Sequence, residues 1–175
     1  MDWIKYIICD LDGTLYNVEH RLSLLQNCRS KEDYDKFHAE HIKDKINNKV
    51  LNLLDICYSY YYEFCDIMYI IYITGRHKKF RKSTIAQLKK DKLNKFESIF
   101  TKPEFELYMK PSYKIYTPDF VKDTLKTIFK KYGKENCLFV LDDRPATVKV
   151  YRDAGLLCLQ VQNSTGFLED VNKNK

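Results

Sequence analysis

Apolar residues follow two alternating rhythms along this chain. Ile4 to Cys9 is apolar at nearly every position and too short for a buried helix, which predicts a strand covered on both faces. Ile67 to Ile73, Cys137 to Leu141 and Leu156 to Val161 predict three more such strands, and Ser98 to Phe100 a shorter fifth. Between these runs the spacing becomes helical. Ile46, Val50, Leu53, Leu54 and Cys57 form one stripe, and Phe80, Ile85 and Leu88 a shorter one. Thr117 and Pro118 read as an N-cap and first helical residue and Gly133 as the stop, with Val121, Leu125 and Ile128 on the buried face. Pro145 to Ala154, closed by Gly155, predicts a final helix. Strands alternating with helices predict an open, mainly parallel α/β sheet with helices on both faces and a ligand site at the carboxyl ends of the strands. With no repeat, low-complexity tract or Pro/Gly/Ser linker, residues 1–175 read as a single domain.

Composition narrows the class. With 45% hydrophobic and 14% aromatic residues, 5 Gly and 4 Pro, the chain is neither disordered nor collagen-like. Its longest apolar run, Ile67 to Ile73, is far shorter than the roughly 20 residues of a membrane-spanning helix. The first residues lack the basic start and long apolar core of a signal peptide. The 6 cysteines include no C-x-x-C pair and sit mostly in apolar runs, as core thiols do. These features lead us to expect no membrane segment and a cytoplasmic or other reducing compartment. The net charge of +6 is unevenly spread: Arg76 to Gly133 holds 16 Lys and Arg against 6 Asp and Glu. That distribution fits a polyanionic or phosphorylated partner and equally a solvated, Lys-rich surface.

The chemistry collects where strands end. The first runs into Asp10-Leu11-Asp12-Gly13-Thr14 and the third into Asp142-Asp143-Arg144. In extended chain, residues two apart point the same way, so Asp10 and Asp12 can address one site. If these strands are neighbours, four carboxylates gather at one sheet edge and repel one another, unless a hard divalent cation such as Mg²⁺ neutralises them. Asp10, Asp12, Asp142 and Asp143 are thus the candidate metal ligands. The second strand ends at Thr74-Gly75-Arg76, a hydroxyl, a bare backbone amide and a guanidinium that suit phosphoryl oxygens. Lys122 can add a positive charge, although Lys110 and Lys114 compete for that assignment. No G-x-x-x-x-G-K-[ST] loop occurs, which excludes a P-loop nucleotide site. Phosphoryl transfer through an aspartyl-phosphate is the natural chemistry of such a set.

In order and spacing, Asp10-Leu11-Asp12-Gly13-Thr14, Thr74-Gly75-Arg76, Lys122 and Asp142-Asp143 resemble the four motifs of the haloacid dehalogenase superfamily of phosphohydrolases. A narrower resemblance, to the 3′-phosphatase domain of phage polynucleotide kinase, rests on Arg21, on Tyr108-Met109-Lys110-Pro111 with Pro118-Asp119-Phe120-Val121-Lys122, and on Asp142 through Leu156. One departure stands out: the phage pattern has two consecutive acids where this chain has Pro118-Asp119.

The resemblance implies a Rossmann-like fold in which residues 17–64 form a small helical cap. It implies Asp10 as nucleophile and Asp12 as general acid and base, with its backbone carbonyl on the metal. Thr74, Gly75 and Arg76 would then bind phosphoryl oxygens, Lys122 would neutralise nucleophile and phosphate, and Arg21 would clamp the substrate. Arg144 would brace the site, or simply start a helix beside a neighbouring acid. Asp142 and Asp143 would hold Mg²⁺, with their order undecided. The expected activity is a phosphomonoesterase, with a phosphorylated nucleic-acid end or nucleotide as partner and a 3′-phosphate as the group removed. Two rivals remain: a phosphatase for 5′-nucleotides or other small esters, and a catalytically idle, basic nucleic-acid-binding module.

Overall fold

The structure, a computed structural model, describes residues 4–26, 28, 30–63, 67–93 and 106–161. In chain order its elements are β1 (Ile4–Cys9), β2 (Tyr16–Asn17), α1 (Ser23–Gln26), α2 (Lys31–Ala39), β3 (Lys45–Ile46), α3 (Asn48–Glu63), β4 (Ile67–His77), α4 (Arg81–Lys90), β5 (Leu107–Lys110), α5 (Thr117–Tyr132), β6 (Cys137–Asp142), α6 (Pro145–Asp153) and β7 (Cys158–Gln160).

Five strands form one sheet in the order β5-β4-β1-β6-β7, every pair parallel. The apolar runs explain why: the central strands β1, β4 and β6 pack side chains on both faces, so alternate residues of one strand supply two cores. Ile7 and Cys9 of β1 pack with Ile70 and Tyr72 of β4, under Val50 and Leu54 of α3 and Leu88 of α4. Tyr6 and Ile8 point the other way, with Ile71, Ile73 and Val140, under Val121, Leu125 and Ile128 of α5 and Val148 and Tyr151 of α6. The α/β sheet covered on both faces is the architecture that the apolar rhythm predicts.

The chain fills one half of the sheet, β1 then β4 then β5, before crossing to β6 and β7 on the far side of β1. This reversal opens a crevice at the carboxyl ends of β1, β4 and β6, where a doubly wound sheet binds its ligand.

Several elements differ from expectation in instructive ways. β4 runs on through Thr74, Gly75 and Arg76 to His77, because β5 pairs with it there and prolongs the ladder. β5 itself has no apolar run to announce it, and its four residues owe their extended form to pairing with β4. Ser98–Phe100 lies outside the described residues. Tyr116, rather than Thr117, occupies the N-cap of α5, and Gly133 ends that helix with φ of 79°. Ile46 sits in β3, which pairs antiparallel with β2 and closes the base of the insert. Between β2 and β3 stand α1, α2 and two 3-10 turns, at Glu19–Arg21 and Glu40–Lys43. Ser30 caps α2 reciprocally: its Oγ accepts from Asp33 N at 3.2 Å while its own N–H donates to the Asp33 carboxylate at 3.1 Å. α3, within the 17–64 stretch, lies against the sheet with Val50 and Leu54 in its core, so it covers the sheet as well as ending the insert. Among the described residues no helix is long and apolar enough to cross a membrane.

Candidate active site

Asp10 follows β1 directly and is 2% exposed; its N–H donates to Leu141 O at 3.0 Å, so it still belongs to the β1–β6 ladder. The chain must then turn sharply. Gly13, with φ of 97°, supplies a conformation that a side chain disfavours, and its N–H reaches Tyr16 O at 2.8 Å. On the neighbouring strand, β6 ends in Asp142 and Asp143. One oxygen of Asp142 is committed to the start of α6, accepting from Arg144 N at 2.9 Å and from Thr147 Oγ1 at 2.5 Å. Thr14 Oγ1 donates to Asp143 Oδ1 at 3.4 Å. As a result carboxylate oxygens of Asp10, Asp142 and Asp143 lie within 4.8 Å of one another, all buried.

Such a cluster holds its charge at a cost. Burial, reinforced by Asp142, pushes the Asp10 carboxyl well above the ordinary carboxylate range. Burial likewise pushes Asp142 up to about 6. Asp10 Oδ2 is buried with no hydrogen-bond partner. An orphaned carboxylate oxygen beside two more acids is the donor set of a hard, oxygen-loving divalent cation, and the residues present fit one.

Asp12 does not join this group. Its Oδ1 faces the insert and accepts from Arg21 Nη2 at 2.6 Å and from Arg76 Nε and Nη2 at 2.9 and 2.6 Å. Asp44 completes the square. Its Oδ1 and Oδ2 accept from Arg21 Nε and Nη2 at 2.8 and 2.5 Å, and Arg76 Nη2 lies 3.4 Å from its Oδ2. Gln87 Oε1 takes Arg76 Nη1 at 2.8 Å. Burial opposes the Asp12 charge, but the two guanidiniums hold its carboxyl well below the ordinary range. Arg21 and Arg76 are fully buried here and face carboxylates, where the sequence analysis expects them to face phosphate. The reason is electrostatic: a buried guanidinium needs carboxylate partners, and Asp12 and Asp44 are within its reach.

The mouth of the crevice is positive. Gly75 lies beside Arg144 and Thr117: a Cβ there would sit in ordinary contact, 3.4 Å from Arg144 Nη2 and 3.9 Å from Thr117 Cγ2. Burial disfavours the Arg144 charge, but Asp10, Asp142 and Asp143 more than offset it. Lys110, at the end of β5, is buried and donates to Thr117 Oγ1 at 3.2 Å. Burial, with Arg144 nearby, pushes its ammonium down to about 8. Thr74 is buried, its Oγ1 accepting from Arg76 N at 3.3 Å. Lys122 stands exposed on the second turn of α5, and Lys114 is exposed in the loop before it.

Residues 4–165 match the polynucleotide kinase PNKP phosphatase domain family. The chain belongs to that family. A protein of Autographa californica nuclear polyhedrosis virus, named as a bifunctional polynucleotide kinase/RNA ligase, is 30% identical over 153 residues, which cover 85% of this chain and 18% of that protein. Two structures of a Pnkp1/Rnl/Hen1 complex, one described as an RNA repair complex, contain a chain 25% identical to this one, with TM-scores of 0.59 and 0.60. Each match covers 90% of this chain, and 45% and 42% of those chains. This chain thus spans less than half the length of these relatives. A haloacid dehalogenase-like hydrolase of Streptococcus pneumoniae shares the fold at 15% identity and a TM-score of 0.59, over 100% of this chain and 92% of its own. The PNKP-type phosphatase domain described here therefore has the haloacid dehalogenase fold.

Within this PNKP-type site two residues escaped the sequence analysis in whole or part. Asp44 carries no motif and stands alone before a two-residue strand, so only the folded insert shows it beside Arg21. Lys110 was visible as a competitor of Lys122, and the pairing of β5 with β4 is what buries it next to Thr117 and Arg144.

Proposed function

We propose that this domain is a Mg²⁺-dependent phosphomonoesterase that removes 3′-phosphate from polynucleotide or nucleotide ends through a phosphoaspartate. The convergence of Asp10, Asp142 and Asp143 at the carboxyl ends of adjacent strands carries the reading. The 3′-end is favoured by the family and by relatives named for polynucleotide kinase, RNA ligase and RNA repair.

Asp10, Asp142 and Asp143 would hold the cation, which supplies charge neutralisation and polarisation of a phosphoryl oxygen. A carboxylate oxygen of Asp10 attacks phosphorus; the bond from phosphorus to the 3′-oxygen breaks, and that oxygen takes a proton from Asp12. In the second half Asp12 takes a proton from water as the water oxygen bonds to phosphorus. The bond from phosphorus to Asp10 then breaks, releasing inorganic phosphate. Arg21 and Arg76 favour the ionised, basic form of Asp12 in the free site. A phosphoryl dianion entering beside it raises its affinity for the proton that it must donate. Lys110 and Arg144, two cations at the mouth, suit the phosphate or its neighbour along the chain, with Thr74, the Gly75 backbone and Lys122 completing the cradle.

Phosphate release with Mg²⁺ from a matched panel tests this: a 3′-phosphorylated oligonucleotide, its 5′-phosphorylated twin, 3′- and 5′-mononucleotides and an aryl phosphate, with Asp10→Asn as blank. Preference for 3′-phosphates is the expected result. Preference for 5′-mononucleotides or the aryl ester keeps the chemistry and overturns the substrate, and release no faster than the blank overturns both.

A further inference from the structure

Immediately after Arg76, β4 leaves the buried ion-pair network and ends at His77, which is half-buried. The His77 ring lies 4.8 Å from that of Tyr113, tilted by 40°. Tyr113 belongs to the loop between β5 and α5, which also brings Thr117 against Gly75. Its ring stacks on Tyr34 at 5.4 Å and 24°, and on His38 at 5.7 Å and 4°. Its hydroxyl donates to Asp35 at 2.7 Å, and Asp35 pairs in turn with Lys79. Rings from β4, the insert and the β5–α5 loop are thereby locked together beside the mouth of the site.

The catalytic steps use none of these rings. Tyr34, His77 and Tyr113 are half-buried, and exposed Lys31, Lys78 and Lys79 rim them closely enough that all three charges disfavour protonation of His77, after burial. The acid in the cluster, Asp35, is already engaged by Tyr113 and Lys79. Aromatic rings within a rim of lysines bind single-stranded nucleic acid without regard to sequence, the rings stacking on bases and the lysines meeting phosphates. A platform already locked by Asp35 loses little freedom when a strand arrives.

We propose that His77 and Tyr34, held in place by the Tyr113 ring that packs against both, form a stacking platform for the bases of a single-stranded polynucleotide whose terminal phosphate occupies the active site, with Lys31, Lys78 and Lys79 contacting its backbone. This rests on the reading of the substrate as a phosphorylated chain end. It gives a role to part of the positive charge concentrated between Arg76 and Gly133.

The test compares kcat/KM for a 3′-phosphorylated single strand with that for the 3′-mononucleotide. His77→Asn keeps an acceptor for Lys79 N, which His77 Nδ1 now meets at 3.1 Å, but removes the ring. The strand-to-mononucleotide ratio falls about tenfold in this variant, at the lower end of the 1–3 kcal/mol attributed to one stacked base, and His77→Phe restores it. In the double variant Lys31→Gln/Lys78→Gln the dependence of log KM on log salt flattens by about 1.4, at ~0.7 per phosphate of a single strand. An unchanged ratio together with an unchanged salt slope overturns the platform. If the wild type shows no preference for the strand, the substrate reading itself has failed. Fluorescence anisotropy of a labelled, unphosphorylated strand then decides the platform alone: weaker binding by the same variants supports it, and equal binding overturns it.

Discussion

Arg76 Nη2 lies 2.6 Å from Asp12 Oδ1, so a guanidinium from the second strand of the crevice grips the carboxylate to which we assign the proton transfer. Asp44 grips Arg21 in the same way at 2.5 Å, and the two arginines bridge both acids. The insert and the sheet therefore hold Asp12 jointly. Its orientation depends on residues that approach it from both sides of the crevice.

Removing one member of this square leaves a buried charge without its partner. Arg76→Ala is expected to lower unfolding stability by about 3–5 kcal/mol and kcat with it. Urea denaturation alongside steady-state kinetics checks both, and a variant of near-parent stability and turnover would show that the square is ornamental.

The opposite sign is expected at Asp10. Asp10→Asn removes one charge from a buried cluster of like charges, so in the presence of a chelator its melting midpoint should rise, by about 2–4 °C for each kcal/mol relieved. Mg²⁺ should stabilise the parent by mass action and this variant less. Turnover should vanish in the same protein. A fall in the chelated midpoint would mean that Asp10 is stabilised by partners other than a cation.

His38 and His41 lie buried under Phe80. Burial pushes His38 down to about 3 and His41 down to about 4. Their folded values lie below the unfolded one, near 6.5, so the unfolded chain binds protons first as the pH falls. The stability associated with each neutral ring is complete above that value and is lost as the pH falls towards about 4 for His41 and about 3 for His38. At pH 5 the loss is about 2 kcal/mol per ring. Asp44 and Asp142, both raised to about 6 chiefly by burial, act in the opposite direction over part of this window. The difference between parent and His41→Gln, measured by urea unfolding at pH 7.5 and pH 5, isolates the imidazole. It should shift by about 2 kcal/mol in favour of the variant at the lower pH.

At the mouth, Lys110→Gln should raise KM for a 3′-phosphorylated oligonucleotide about tenfold, equivalent to ~1.4 kcal/mol. The fold should survive, because a neutral amide is easier to bury than the ammonium it replaces. An unchanged KM would leave Arg144 and Lys122 as the phosphate contacts.

The chain's local pattern was enough to specify four of the five strands of the sheet. Doubly apolar runs at Ile4–Cys9 and Cys137–Leu141 can be buried only between helical layers, and the acids that follow them meet at one edge once the two strands are neighbours. Asp10, Asp12, Asp142 and Asp143 are thus legible in the sequence as a candidate cluster, and the pairing of β1 with β6 brings three of them together. Their spacing from the strands is short-range information, carried by a few consecutive residues.

Tertiary structure alone decided what partners each charged side chain has. Arg21, Asp44 and Arg76 are distant in sequence, and nothing local distinguishes a guanidinium bound for a phosphate from one bound for a carboxylate. Burial makes the choice, because a desolvated charge must be neutralised by whatever opposite charge the fold brings within hydrogen-bonding reach. The same holds for β5 and Lys110: four residues too few to show a period are extended because β4 lies beside them. Hydrophobic period is written along the chain, whereas electrostatic partnership exists only across it.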